Sequence, residues 1–265
     1  MTAAPLLACN GVTKTFGALA AVNNLSFEVA AGEVLGIGGP NGAGKTTLFE
    51  VISGLNPATA GEIVFDGRAI THLSPEAICH AGIARTFQLN SAFDSLTVRE
   101  NVEVAAHFGR ADRATPGLRL DPGARARAAE ALAFVGLDGR AHVVAENLTV
   151  LERKLLMIAS ALSTEPKLLL MDEPVGGLNP GEIDRIVDVV RRLRVRGVTV
   201  VLIEHVMRFL VQLATRVLIM HHGEKIYEGS AAGLVRDATV VDVYLGAGAS
   251  RRLEAFMAQR GTATA

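Results

Sequence analysis

The sequence predicts an α/β fold with a mostly parallel sheet, a smaller antiparallel β region and an inserted helical lobe. A short apolar segment, Val34–Ile37, is followed by a glycine-rich loop and then by the spacing of an amphipathic helix. Two later apolar runs, at residues 167–171 and 198–203, are typical of strands buried on both faces, and a helical pattern separates them. Strands that alternate with helices in this way form parallel sheets with right-handed crossovers.

The antiparallel region is predicted from the residues on either side of this loop. Residues 6–30 are typical of strands, because apolar and polar side chains alternate in Leu25–Val29. A second β pattern runs from Gly61 to Ile70, and Asp66-Gly67 is its tight hairpin turn. We therefore expect an antiparallel flap beside the parallel core.

The glycine-rich loop fits the phosphate-binding pattern G-x-x-x-x-G-K-[ST]. Glycines let the backbone turn its N–H groups toward a polyphosphate, and the N-terminus of the following helix points at the same anion. A dinucleotide fingerprint needs a third glycine where this chain has Asn41, so that alternative fails. The pattern predicts a P-loop NTPase core that binds a nucleoside triphosphate through Gly39, Pro40, Asn41, Gly42, Ala43, Gly44, Lys45, Thr46 and Thr47.

Three side chains near this loop are candidates for contact with the nucleotide or its Mg²⁺. Lys45 would reach the β- and γ-phosphates, and the Thr46 hydroxyl would ligate Mg²⁺. Phe16 ends the first β segment just before Gly17. Its ring could stack on the adenine or pack in the core, and its spacing leaves both readings open.

Residues 89–162 have helical character. Asn101–His107 and Gly123–Val135 have helical spacing, and the glycines, prolines and charges between them suggest a surface loop. We expect a core of residues 6–88 and 163–246 with this lobe inserted.

Polar residues follow the predicted strands of the core. Gln88, the pair Asp172-Glu173, and His205 each come at the end of an apolar strand. Ligands of parallel sheets bind beyond the carboxyl ends of the strands. Asp172 is the candidate acidic partner of Mg²⁺, and Glu173 is placed to orient or deprotonate the attacking water. His205 could contact the γ-phosphate or have a structural role.

Composition limits the class of protein. The chain of 265 residues is 49% hydrophobic and 20% charged, which indicates an ordered globular protein. A net charge of −1 argues against a general nucleic-acid binder. Two distant cysteines, Cys9 and Cys79, favour a reducing compartment. No apolar run approaches the ~18–20 residues that cross a bilayer, and the first residues do not resemble a signal peptide. We therefore expect a soluble chain, whose membrane role would come through a partner.

These residues resemble, in order and approximate spacing, the ATP-binding subunits of ABC transporters over residues 6–246. Details look most like the subfamily that serves branched-chain amino acid importers, namely Ile83-Ala84-Arg85-Thr86-Phe87-Gln88, Gly177-Leu178-Asn179-Pro180, Ile203-Glu204-His205 and Val243-Tyr244-Leu245-Gly246. The resemblance implies an ABC ATPase that uses ATP and Mg²⁺, with Gln88 as a catalytic and metal-binding candidate that couples the nucleotide site to the membrane subunits. It also implies that His205 senses the γ-phosphate and that residues 175–179 touch the opposite protomer.

The same resemblance predicts the partners and the location. Two protomers would sandwich two ATP molecules, and transmembrane permease subunits would hold the pair at the inner, cytoplasmic face of the membrane. A solute-binding protein would act indirectly, and no nucleic acid is expected. Branched-chain amino acids are the suggested solute, while related systems carry other amino acids, amides or urea.

One departure concerns the family signature Leu-Ser-Gly-Gly-Gln, which here is Leu148-Thr149-Val150-Leu151-Glu152. Thr149 and Glu152 still make a capping box, so this helix N-terminus is a candidate ATP-binding element, or else only a well-capped helix start. Both glycines are lost, and we hypothesise an asymmetric pair in which a partner supplies a better signature. A second departure is Val206, where close relatives usually have Asp.

Two other functions stay open on the sequence. One is a soluble ABC-type ATPase that clamps nucleic acid or ribosomes, although the fused cassettes or long coiled coils frequent in that class are not seen. The other is a regulatory nucleotide-binding subunit with little hydrolysis. The tail, residues 247–265, lies beyond the resemblance and is either a helix with Leu253, Phe256 and Met257 on one face or disordered.

Overall fold

The computed structural model describes residues 4–87, 92–110, 122–245, 250, 252–255 and 257–258. The backbone divides into two compact units. The first comprises Met1–His72 and Thr199–Ala265, and the second comprises Leu73–Val198.

The strands of the described residues are β1 (Leu7–Phe16), β2 (Leu19–Val29), β3 (Val34–Gly38), β4 (Ala60–Phe65), β5 (Arg68–Ala69), β6 (Ile83–Thr86), β7 (Leu168–Asp172), β8 (Thr199–Ile203), β9 (Arg216–His221) and β10 (Glu224–Gly229). The helices are α1 (Lys45–Ile52), α2 (Pro75–Ala81), α3 (Val98–Phe108), α4 (Pro122–Val135), α5 (Val150–Leu162), α6 (Pro180–Val195), α7 (Met207–Leu213), α8 (Ala231–Leu234) and α9 (Ala238–Val240).

An antiparallel sheet lies in the first unit, with the strand order β2-β1-β4-β5. Its β4–β5 turn is made by Asp66 and Gly67, whose φ values of 49° and 75° are both left-handed. Positive φ at both central residues is the requirement of the tight hairpin turn that the Asp-Gly pair predicts. The predicted antiparallel flap is therefore confirmed.

The first unit also contains parallel strand pairs. β3 pairs in parallel with β8 on one side and with β9 on the other, and β10 adds an antiparallel edge to β9. Every residue of β3 and β8 is buried, as the continuous apolar runs predict. The register places Ile37 opposite Ile203, so the carboxyl ends of β3 and β8 lie at the same edge.

The second unit has its own parallel pair, β6 and β7, in which Thr86 lies opposite Met171. Helices α3, α4 and α5 pack against one another in this unit. Thr97 and Glu100 form a capping box at the start of α3, which ends at Phe108. The mostly parallel α/β class with helical segments is confirmed, and the boundary of the lobe at residues 89–162 stays a prediction.

In the C-terminal tail, the structure describes a short helical segment around Leu253, whose side chain is buried. The Ser250 hydroxyl donates to the Val235 carbonyl at 2.8 Å. Phe256 lies outside the described residues.

Candidate functional site

The phosphate loop connects β3 to α1 and depends on glycine at two places. Gly39 has φ 143°, and a Cβ there would lie 2.2 Å from the Met220 carbonyl oxygen. Gly44 has φ 96°, and a Cβ there would lie 2.0 Å from the Ala21 carbonyl oxygen. Any side chain would therefore strain the backbone and collide with a backbone oxygen. The loop follows this path because these two residues lack a side chain.

Lys45 is held inside the loop. Its side chain is buried, and its ammonium donates to the Gly39 carbonyl at 2.7 Å and to the Pro40 carbonyl at 2.9 Å. Thr46, the next residue, is exposed at the first turn of α1. A buried ammonium bound to neutral carbonyl oxygens can exchange them for phosphate oxygens, which are stronger acceptors for a charged donor.

The turn between β9 and β10 supports the same loop. The Gly223 N–H donates to the Ala43 carbonyl at 3.1 Å, and the Gly223 carbonyl accepts from the Asn23 N–H at 2.9 Å. The contact between this turn, which contains His222 and Gly223, and the loop is not a sequence prediction. No local sequence pattern predicts this contact, because it joins residues far apart in the chain.

Glu204 and His205 follow β8 at the edge where β3 enters the loop. The Glu204 carboxylate is fully buried and accepts from the backbone N–H groups of His205 at 3.2 Å and Val206 at 3.4 Å. Glu204 thereby shapes the turn that carries His205, whose own side chain is 52% exposed. The sequence did not single out Glu204 for this structural role.

Tyr244 also lies beside the start of the loop. One of its ring atoms would be 3.7 Å from a Cβ on Gly38. Burial raises the pKa of the Tyr244 phenol, while the backbone of Gly39 acts in the opposite direction. The sequence uses this residue only as part of the family resemblance.

Phe16 ends β1 with 49% of its surface exposed, so the alternative that it packs in the core does not hold. The Lys14 ammonium lies 5.1 Å from the centroid of its ring. The exposed ring can accept a flat ligand, as the stacking alternative requires.

Asp172 ends β7 in the second unit, and Glu173 directly follows it. The Asp172 carboxylate is buried and pairs with the Arg85 guanidinium at 2.9 Å. Glu173 has a left-handed φ of 47°, and its carbonyl accepts from the Lys154 ammonium at 2.8 Å. A non-glycine residue with positive φ is uncommon and marks a backbone held by its surroundings. The sequence did not identify Arg85 or Lys154 as partners of this pair.

Gln88 lies outside the described residues. Phe87, directly before it, is exposed and follows β6, the strand that pairs with β7. The carboxyl ends of β6 and β7 thus share one edge, as the sequence predicts.

The start of α5 has the predicted capping box. Thr149 accepts from the Glu152 N–H at 3.2 Å, and the Glu152 carboxylate accepts from the Thr149 N–H at 2.9 Å. The backbone N–H of Thr149 lowers the pKa of Glu152, and Arg140 adds an ion pair at 3.0 Å. Val150 is 42% exposed, close to Gly177 of the same unit.

Two further observations concern the described residues. They contain no group of three or more His, Cys, Asp or Glu side chains that could hold a metal ion among themselves. Within the same ranges, none of the helices has the length and apolar character needed to cross a membrane.

A parallel sheet whose strand enters a glycine loop, with a buried lysine at the start of the next helix, defines a P-loop nucleotide-binding domain. Residues 22–176 match the family model described as ABC transporter. The branched-chain amino acid transport ATP-binding protein LivG of Salmonella typhimurium is 36% identical over 250 residues, which cover 91% of this chain and 98% of LivG.

Solved structures agree with this match. The ADP conformation of the ATP-binding cassette MJ1267 superposes with a TM-score of 0.83 at 30% identity, over 92% of this chain and all of that one. A dimeric post-hydrolysis state of the cassette MJ0796, bound to ADP and Pi, gives a TM-score of 0.74 at 26% identity, over 85% and 98% of the two chains. The chain therefore belongs to the ABC transporter family.

Proposed function

We propose that this chain is the ATP-binding and ATP-hydrolysing subunit that powers solute uptake by a membrane ABC transporter. The observation that carries the proposal is the loop geometry, with Lys45 buried against the carbonyls of Gly39 and Pro40. The likeness to LivG along nearly the whole of both chains supports branched-chain amino acids, or related polar amino acids and amides, as the solute.

The residues of the phosphate loop would bind the polyphosphate, with Lys45 as its point charge and the exposed Phe16 stacked on the adenine. The oxygen donors Thr46 and Asp172 fit Mg²⁺, a hard cation that is usually held by one or two protein ligands together with phosphate oxygens. The buried Asp172 carboxylate suits this role because its ion pair with Arg85 holds an oxygen donor in place at the end of β7. Bound Mg²⁺ would supply charge neutralisation at the phosphates. Gln88 is proposed as a further ligand and as the link to the membrane subunits.

Glu173 is proposed as the residue that orients or deprotonates the attacking water, and His205 as the contact to the γ-phosphate. The exposed ring of His205 stands on a turn fixed by the Glu204 carboxylate, which favours ligand contact over burial in the core. Phosphoryl transfer needs mainly positioning and charge neutralisation, and these groups provide both.

A second protomer would complete each site, in keeping with the dimeric cassette among the structural neighbours. Transmembrane permease subunits would hold the pair at the cytoplasmic face of the membrane, with a solute-binding protein acting indirectly. Thr149 and Glu152 would face the nucleotide of the opposite protomer.

An asymmetric pair with weak hydrolysis at one site is the second candidate. The observation that favours it is the start of α5, where Val150 and Leu151 carry branched side chains in place of two glycines. Close approach of backbone to a phosphate needs the space that glycine leaves.

The test measures ATP binding and hydrolysis by the full chain, alone and co-expressed with candidate permease subunits. Lys45→Ala is expected to abolish ATP binding, whereas Lys167→Ala, which removes an exposed lysine outside the loop, should not. Glu173→Gln should keep ATP binding, slow hydrolysis and accumulate the ATP-bound dimer. Retained affinity in Lys45→Ala would refute the loop assignment, and normal turnover in Glu173→Gln would remove that residue from the mechanism.

A further inference from the structure

Arg85 is the charged residue of β6, and it lies among mostly apolar residues of β6 and β7. Its neighbours Ile83 and Ala84 are buried in β6, and the facing strand β7 is buried along its whole length. The register places Arg85 opposite Leu170. Its guanidinium reaches the carboxylate of Asp172, two residues further along β7, at 2.9 Å, and the two side chains are only 7% and 2% exposed.

Two contacts restrain this ion pair. The Arg85 guanidinium lies 5.3 Å from the centroid of the Phe87 ring, and the Asp172 N–H donates to the Thr86 hydroxyl at 3.4 Å. A guanidinium is planar and has its donors in a fixed fork, so an aromatic contact and an ion pair together restrict its orientation. The carboxylate bound to it is restricted in the same way.

A buried ion pair is a weak contributor to net stability, because desolvation of the two charges offsets their attraction. Apolar residues of similar volume would serve the sheet equally well. What the pair does provide is a carboxylate that is fixed in direction at the end of a strand. Partners that orient a ligating carboxylate commonly control metal affinity.

We propose that Arg85 is a positioning residue for the Mg²⁺–nucleotide complex, which fixes the Asp172 carboxylate in the direction that Mg²⁺ requires. The inference rests on the proposed function, because it assumes that Asp172 is a ligand of Mg²⁺. Arg85 also contacts Phe87, the residue directly before Gln88 in the chain. One side chain thus joins the Mg²⁺ ligand to the segment that leads to Gln88.

The experiment measures the affinity of the full chain for a fluorescent ATP analogue, first in EDTA and then as Mg²⁺ is titrated. Arg85→Met is expected to raise, on the order of 10-fold, the Mg²⁺ concentration that gives half of the change in affinity for the ATP analogue. This is the usual scale for loss of a partner that orients a metal ligand. Affinity in EDTA should change by less than about two-fold, because Arg85 acts through Asp172. Arg85→Lys keeps the charge without the planar fork, and should give an intermediate shift.

Two controls separate this role from a general loss of structure. Arg153→Met breaks the Arg153–Asp94 ion pair, in which Asp94 is exposed, and should leave the Mg²⁺ dependence unchanged. In an Asp172→Asn background, the further change Arg85→Met should shift the Mg²⁺ dependence by less than about two-fold, since the group it positions is gone. Thermal unfolding shows which variants fold. If Arg85→Met does not fold, the Mg²⁺ dependence of Arg85→Lys tests the proposal in its place.

The proposal is overturned if Arg85→Met, or Arg85→Lys in its place, leaves the Mg²⁺ concentration at half of the affinity change equal to the wild-type value. It is also overturned if Arg85→Met causes the same shift in the Asp172→Asn background as in the wild type. Failure of the proposed function gives a different result, because the wild-type chain itself would then not bind the ATP analogue.

Discussion

Replacing either of two loop glycines by alanine tests how the phosphate loop is held in place. Gly42 and Gly44 both have left-handed φ, 78° and 96°. A Cβ on Gly42 would meet no atom within 4 Å, whereas a Cβ on Gly44 would lie 2.0 Å from the Ala21 carbonyl oxygen. Both substitutions strain the backbone in the same way, but only Gly44→Ala adds a collision with the Ala21 carbonyl oxygen.

The magnitudes follow from this difference. Left-handed φ costs an alanine about 1–2 kcal/mol, so Gly42→Ala should lower the free energy of unfolding by about that amount. In Gly44→Ala the contact must also lengthen by roughly 1.4 Å to reach ordinary van der Waals distance, and overpacking of this kind costs about 1–3 kcal/mol more. One kcal/mol corresponds to about 2–4 °C in Tm for a chain of this size.

The assay is thermal unfolding without nucleotide, followed by ATP binding. Gly44→Ala should lower the Tm about 1.5 to 4 times as far as Gly42→Ala. It should also weaken ATP binding, because relief of the collision displaces the adjacent Lys45. Equal Tm values for the two variants would refute the argument that the Ala21 carbonyl fixes the path of the loop.

Three further measurements test separate parts of the molecule. Leu151→Gly should raise ATP hydrolysis in the assembled complex if that side chain impairs the site, and unchanged turnover would count against this. Glu152→Gln should strengthen ATP-driven dimerisation at neutral pH, because it removes the negative charge of the carboxylate. The pKa of Glu152 is lowered, so the dimerisation of the wild type should approach that of the variant only when the pH falls through this lowered value and the carboxylate is protonated. Burial raises the pKa of Cys9 and of Cys79, so iodoacetamide at pH 8 should label the half-buried Cys79 slowly and Cys9 only after unfolding. Labelling of native Cys79 should speed up at higher pH as thiolate forms. Equal labelling rates in native and denatured protein would contradict the burial argument.

Features that depend on neighbouring residues could be predicted from the sequence. The capping box of Thr149 and Glu152 needs only a spacing of three residues, and the Asp66-Gly67 turn needs only its own dipeptide. The shared edges of β3 with β8, and of β6 with β7, follow from the general rule for parallel strands.

Features that depend on distant residues could not be predicted in this way. Gly223 supports the loop at Ala43, and Arg85 pairs with Asp172 across 87 positions of sequence. Neither residue has a local pattern that reveals its partner. The exposure of Phe16 was undecided for the same reason, because an aromatic at a strand end is compatible with both core and surface.

If Thr149 and Glu152 face the nucleotide of the opposite protomer, as we propose, the altered start of α5 affects a site in the partner more than the site in this chain. The Glu152 carboxylate accepts the Thr149 N–H, and its lowered pKa keeps a negative charge at the helix N-terminus. That charge lies at the positive end of the helix dipole, which would otherwise attract a phosphate. The ion pair with Arg140 offsets the negative charge only in part, because both side chains are accessible to solvent. The resemblance implies a neutral glutamine at this position, so in the proposed pair Glu152 would oppose the approach of a γ-phosphate in addition to the loss of the glycines. The phosphate loop keeps the full pattern from Gly39 to Thr46. We therefore expect nucleotide binding by the single chain to be ordinary and the closure of a pair of identical chains to be weak.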